Sequence, residues 1–180
     1  MIPAKWALAA TPDPAAIHDL SAALTIPEPL AALLIQRGLG EADLAKAFLR
    51  PELERLSNPL EWTGMRRAVD LIVQAIRDRA PILVHGDYDV DGQCASSMLT
   101  RVLRAAGGTV HAFVPHRLRD GYDFGPAGLA KAASVGARLI ITCDCGITAV
   151  ETVTQARAAG HQVIVTDHHL PGDALPDADA

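Results

Sequence analysis

Apolar and polar positions along the chain change rhythm near residue 80. Before that point the pattern is helical and broken by proline. Pro27 to Gln36 opens with prolines and stops at Gly38, which predicts a helix with matching start and stop signals. Glu41 to Leu49 is a short amphipathic segment ended by Pro51, and Met65 to Arg79 sets Ala68, Leu71, Ile72, Ala75 and Ile76 along one helical face. After Pro81 short β-rich runs alternate with helical stretches. The runs are Ile82–Val84, Val110–Val114, Leu139–Thr142 and Val163–Thr166. The helices lie near Ala95–Ala106, Ala127–Val135 and Ala149–Ala159, each closed by glycine. Repeated strand–helix units predict an α/β fold, a doubly wound parallel sheet preceded by a helical N-terminal segment. The expected division is a lead-in over 1–80 and a sheet domain over 81–180.

Composition narrows the class. The chain has 180 residues, 49% of them hydrophobic and 21% charged, as a globular chain does. No apolar run approaches the 18 or so residues of a membrane span, and the first residues, MIPAKWALAATPDP, lack a signal peptide's apolar core. Three cysteines cannot all pair within the chain, which points to a reducing, cytoplasmic setting. A net charge of −5 argues against a nucleic-acid partner only until the acidic residues are located. Several of them fall in candidate metal motifs, where divalent ions would offset their charge.

Residues 81–92 carry the strongest of these motifs, Pro-Ile-Leu-Val-His-Gly-Asp-Tyr-Asp-Val-Asp-Gly. An apolar strand pattern ends in His85, Asp87, Asp89 and Asp91, with no Lys or Arg in the segment. Two carboxylates about 4 Å apart repel by roughly 4 kcal/mol at an effective dielectric near 20. Asp oxygens and a His nitrogen suit Mn²⁺ or Mg²⁺. The alternative is a solvated acidic turn capping the next helix.

In open α/β sheets, ligands bind beyond the carboxyl ends of the strands. Three predicted strands end in candidate ligands: the first at His85–Asp91, the third at Cys143-Asp144-Cys145-Gly146, the fourth at Asp167-His168-His169. Asp89 and Asp91 are the leading pair, with His85 as an imidazole ligand. Asp87 is placed either on a metal or orienting a ligand. Asp144 is suited to bridging two ions, His168 is the second nitrogen ligand, and Asp167 is either a cap or a ligand. His169 is expected to face substrate, polarising a phosphoryl oxygen or donating a proton.

A helix beginning near Gln93 to Ser97 would point free backbone N–H groups at the same edge, which makes Ser96 a phosphate contact. Its more ordinary reading is helix capping by Asp91. Arg117 and Arg119, in the loop after the second strand, could grip phosphates, and Tyr122 could stack on a base or sugar. Two loop arginines are also often merely solvated. Cys143-x-Cys145 with two histidines raises zinc, but structural zinc favours wider cysteine spacing, so burial accounts for both thiols better. Cys94 reads as helix packing, and His18, His111, His116 and His161 as solvent-facing.

With these residues in place the chain resembles the DHH phosphoesterase superfamily, named for the motif present as Asp167-His168-His169. Within it the resemblance is to the RecJ family of single-strand-specific DNA exonucleases. It runs through Lys5-Trp6, Gln36-Arg37-Gly38, HGDYDVDG, the RxxDGY loop, DCGI and VTDHHLPG, in that order. More distant members have a His-x₃-Asp-x-Asp signature, which His85, Asp89 and Asp91 reproduce. The resemblance implies a two-metal phosphodiesterase that uses two Mn²⁺ or Mg²⁺ ions and removes nucleotides from the 5′ end of single-stranded DNA in recombination and repair. Asp144 would hold both ions and His169 would act on the developing oxyanion. Single-strand-binding protein and a helicase are the implied protein partners.

Two departures qualify the resemblance. Cys145 stands where the family often has Asn, and the ligand Asp144 is kept. The sequence also stops shortly after DHHLPG, where the family continues with another metal-binding Asp, a second catalytic domain and an oligonucleotide-binding fold. The expectation is therefore a truncated chain with an incomplete site, which binds metal without necessarily degrading DNA. Two alternatives stand beside it. One is a DHH phosphodiesterase of short oligonucleotides or cyclic dinucleotides, and the other is a catalytically silent DHH scaffold.

Overall fold

The structure is a computed structural model that describes residues 7–180; Lys5-Trp6 lies outside them. The chain divides into two compact units, up to Ser57 and from Asn58 onward. Among the described residues the first unit holds three α-helices, α1 (Pro14–Leu24), α2 (Glu28–Gln36) and α3 (Ala42–Leu49), and a short 3-10 turn at Leu53–Arg55. Leu20, Ala31, Leu34 and Ala45 form its small core. Asp13 caps α1 by accepting the Ala15 N–H.

The second unit opens with α4 (Met65–Arg77) and continues β1 (Ile82–Gly86), α5 (Val90–Ala105), β2 (Val110–Phe113), α6 (Arg117–Asp120), α7 (Pro126–Ser134), β3 (Leu139–Cys143), α8 (Val150–Ala158) and β4 (Gln162–Thr166). All strand pairs are parallel, in the order β2-β1-β3-β4. Alternation along the strands separates two core layers. Ile82, Val84, Leu139, Ile141, Cys143 and Ile164 pack with Leu71, Ala75 and Leu103 from α4 and α5. Leu83, Ile140 and Val163 pack with Ala132, Val153 and Ala156 from α7 and α8. Helices thus cover both faces, as the doubly wound expectation requires.

Three differences from the sequence reading matter. The α4 helix belongs to the sheet unit, because its apolar face completes one layer of that core, so the break falls after Ser57 and not near residue 80. The α5 helix starts at Val90, before Gln93, because the Asp89 side chain accepts the N–H groups of Asp91 and Gly92. Asp89 is therefore the cap that had been read into Asp91. The chain also contains α1 and the four-residue α6, neither of which the hydrophobic pattern singled out.

Candidate metal centre

The strand order reverses between β1 and β3, so their carboxyl ends flank the switch point where ligands of such sheets bind. The loops after β1 and β3 leave the sheet with its ladder extended: Asp87 N–H donates to the Cys143 carbonyl, and Asp144 N–H to the Thr166 carbonyl. The β1 loop is compressed against α5. A Cβ on Gly92 would sit 2.6 Å from Asp87 Cα, and one on Gly86 would sit 2.6 Å from Ser96 Oγ. Only glycine allows this approach, which sets Asp87 against the sheet edge.

Asp144 is the centre of the arrangement. Its backbone is left-handed, φ 63°, a conformation a non-glycine residue keeps only when its surroundings impose it. It is 8% exposed, Oδ1 lies 2.8 Å from His168 Nε2, and Oδ2 is buried without a partner. One ligand atom each from Asp144, His168 and His169 lies within 4.8 Å of the others, and the same holds for Asp87, Asp89 and Asp144. Asp87 is 2% exposed with Oδ1 also unpartnered. Burial, with the Asp89 and Asp144 carboxylates behind it, pushes the Asp87 pKa up. Two unpartnered buried oxygens, each in a cluster of hard donors, fit divalent cations. Asp91 is exposed and lines an open cleft with Asp144, Thr166, Asp167 and His168.

The fourth-strand motif divides its labour. Burial alone would raise the Asp167 pKa, but the N–H groups of Ile147, His168 and His169 and the His169 ring outweigh it and hold that pKa down. This side chain acts as a cap. The His169 Nδ1–H donates to Asp167 at 2.7 Å, which fixes the ring and raises its pKa. His168, its side chain 72% exposed, turns Nε2 to Asp144 and rests its ring 4.7 Å from that of His169.

Other predicted residues do not converge. His85 was expected to bind metal, but its ring stands on the α7–α8 face between Phe113 and Phe124, because residues alternate along β1. Nδ1 meets Cys145 Sγ at 3.5 Å, and a Cβ on Gly128 would come 2.7 Å from Nε2. It is in neither of the two candidate metal groups. Ser96, expected as a phosphate contact at the start of α5, is a buried residue within that helix and donates to the Gln93 carbonyl. The N–H groups nearest the helix start are already taken by Asp89. Arg119 forks onto its neighbour Asp120, whereas Arg117 lies 4.7 Å over the Tyr88 ring, itself edge-on to Tyr122. Cys143 and Cys145 are buried as expected; Cys94, read as helix packing, is exposed. Asp123, whose carboxylate bonds to Gly146 and Thr148, was missed entirely. Its only sequence signal was an acid following Tyr122.

Comparison with known proteins identifies the family. The sequence model of the DHH family, N-terminal domain, matches residues 81–180. The chain is 37% identical over 169 residues to the single-stranded-DNA-specific exonuclease RecJ of Bacillus subtilis, covering 94% of this chain and 22% of that protein. RecJ of Escherichia coli is 39% identical, with 90% and 27% covered. A crystal structure of exonuclease RecJ bound to manganese superposes with a TM-score of 0.63 at 39% identity, over 68% of this chain and 32% of that one. RecJ of Thermus thermophilus in complex with Mn²⁺ gives 0.62 at 35% identity, over 93% and 23%. The chain thus spans about a quarter of the length of the RecJ proteins it matches. With its signature residues gathered at one edge of a parallel sheet, the chain belongs to the DHH family.

Proposed function

We propose that this chain is the metal-holding portion of a RecJ-type nuclease, which hydrolyses phosphodiester bonds of single-stranded DNA from the 5′ end with two Mn²⁺ or Mg²⁺ ions. The observation that carries the reading is Asp144, a buried carboxylate in a strained backbone conformation with one oxygen unpartnered amid Asp87, Asp89 and His168. Asp144 would be shared between the ions, with Asp87, Asp89 and Asp91 on one side and His168 on the other. Such ions lower the pKa of water and offset charge on a scissile phosphate. His169, oriented by Asp167, has Nε2 available to donate to a phosphoryl oxygen. Arg117 is the better candidate for a phosphate, since Arg119 is already paired with Asp120. Tyr88 and the half-exposed Tyr122 offer stacking faces beside it. His85 is read as packing beneath the strand end.

The role in recombination and repair, and single-strand-binding protein and a helicase as partners, follow from the RecJ resemblance. A cytoplasmic setting is supported by three free thiols. Among the described residues no helix is long and apolar enough to cross a membrane.

The test is direct. Mn²⁺ at 100 times its dissociation constant should stabilise the chain by about 2.7 kcal/mol, visible as a raised melting temperature. Asp144→Ala should remove most of that shift and His116→Ala should preserve it. Equal loss in both variants, or no shift at millimolar Mn²⁺, rejects the site. In the full-length protein, Asp144→Ala should abolish nucleotide release from single-stranded DNA.

A further inference from the structure

Asp123 lies between α6 and α7 with a left-handed backbone, φ 67°. Its carboxylate is fully engaged without touching either candidate metal group. Oδ1 accepts the N–H of Phe124 at 2.7 Å and of Gly146 at 2.6 Å, and Oδ2 accepts the Thr148 hydroxyl at 2.6 Å. Two of these donors belong to the loop between β3 and α8, which begins at Asp144. The next amide of that loop, Ile147, donates to Asp167 Oδ2 at 3.0 Å. Consecutive amides are therefore gripped by carboxylates from two other loops, one after β2 and one after β4.

This grip has consequences for Asp144. The loop turns through two left-handed residues, Asp144 at φ 63° and Gly146 at φ 108°, with Cys145 between them. Such a turn holds its shape only where its surroundings over-determine it. Bonds to a charged acceptor are short and strong, and so suited to imposing it. Cys145 contributes two long sulfur contacts to His85, 3.5 Å to Nδ1 and 3.9 Å to the carbonyl oxygen. Asp123 also belongs to the segment bearing Arg117 and Tyr122, so it joins the candidate DNA-contacting loop to the candidate metal loop.

We infer that Asp123 is a positioning residue for the metal-holding carboxylate: it locks the turn at Gly146 that aims Asp144 toward Asp87, Asp89 and His168. The inference rests on the reading of Asp144 as a metal ligand. Two substitutions separate its parts. Asp123→Gly removes the carboxylate but accepts the positive φ, so the fold is spared. Asp123→Asn keeps an oxygen to accept the Gly146 N–H.

In the 180-residue chain, amide exchange at Gly146 is followed by NMR without metal, and Mn²⁺ affinity by electron paramagnetic resonance. Asp123→Gly should speed Gly146 exchange at least tenfold while leaving β1 and β3 amides protected, and should weaken Mn²⁺ binding about tenfold. Asp123→Asn should stay within about threefold of the unsubstituted chain in both. Unchanged Gly146 exchange or unchanged Mn²⁺ affinity in Asp123→Gly overturns the inference, as does an Asn variant as impaired as the Gly variant. Should Asp123→Gly not fold, Asp123→Asn and Thr148→Val decide: the first must stay near the unsubstituted chain and the second must weaken Mn²⁺ binding severalfold, and any other result overturns it. An unsubstituted chain that binds no Mn²⁺ overturns the proposed function instead, while Gly146 exchange still reports the hold of Asp123 on the loop.

Discussion

His85 is fully buried between two phenylalanines, and that burial lowers its pKa from 6.5 to about 4. The folded-state pKa is depressed, so the unfolded chain takes up a proton first as the pH falls. Stability is therefore intact above about 6.5 and is lost between there and about 4, by about 3 kcal/mol in all. Asp87 acts with the opposite sign: its raised pKa means that stability declines as the pH climbs above the unfolded value. Urea unfolding of the metal-free chain at pH 6.5 and 4.5 should show the His85 loss, and His85→Leu should flatten it. An unchanged pH dependence in that variant would rule out His85 as its source. Asp87→Asn should stabilise the metal-free chain at neutral pH while weakening Mn²⁺ binding. Histidine and three acids were visible in residues 81–92. That the imidazole turns away from the acids was not: alternation puts His85 on the face of Leu83, but only tertiary packing shows that α7 and α8 cover that face.

Among the elements, α7 and α5 are held by glycines chosen for space. Gly128 lies in α7, where Ala would ordinarily gain about 1 kcal/mol of helix propensity. Here its Cβ would stand 2.5 Å from His85 Cδ2 and 3.0 Å from Phe124 Cδ2. The overpacking cost, about 1–3 kcal/mol, should prevail, so Gly128→Ala is expected to lower the urea midpoint. A raised midpoint would mean that α7 can lift from the sheet at little cost. Helix and strand positions after residue 80 were legible from periodicity and glycine stops. The start of α5 was not: the sequence pointed to Asp91 as the cap, and the backbone geometry gives that place to Asp89.

For the molecule as a whole, α4 decides where the sheet unit ends. Its Leu71 and Ala75 are buried with strand residues, and Ala68, Ile72 and Ile76 pack around them. A fragment of residues 58–180 should unfold cooperatively and keep its Mn²⁺ shift, whereas residues 81–180 should be much less stable, since one core layer loses its cover. Circular dichroism melts of the two fragments check this; equal stability would return the boundary to residue 80. The change of rhythm near residue 80 marked a change of secondary structure. It did not mark the edge of a core, because the pattern within one helix does not name the surface it covers.

What the sequence determined by itself was the alternation of strand and helix, the edge at which acids and histidines collect, and the family those motifs denote. These follow from local periodicity and from residue types that few other arrangements would tolerate. Tertiary structure decided the placements: Asp144 buried with an unpartnered oxygen, His85 turned into the core, Arg119 paired with its neighbour, and Asp123 reaching across 23 positions to hold Gly146. Each of these depends on which loops the sheet order β2-β1-β3-β4 sets side by side. Distances between loops are fixed by strand pairing and core packing, which spacing along a single chain does not specify.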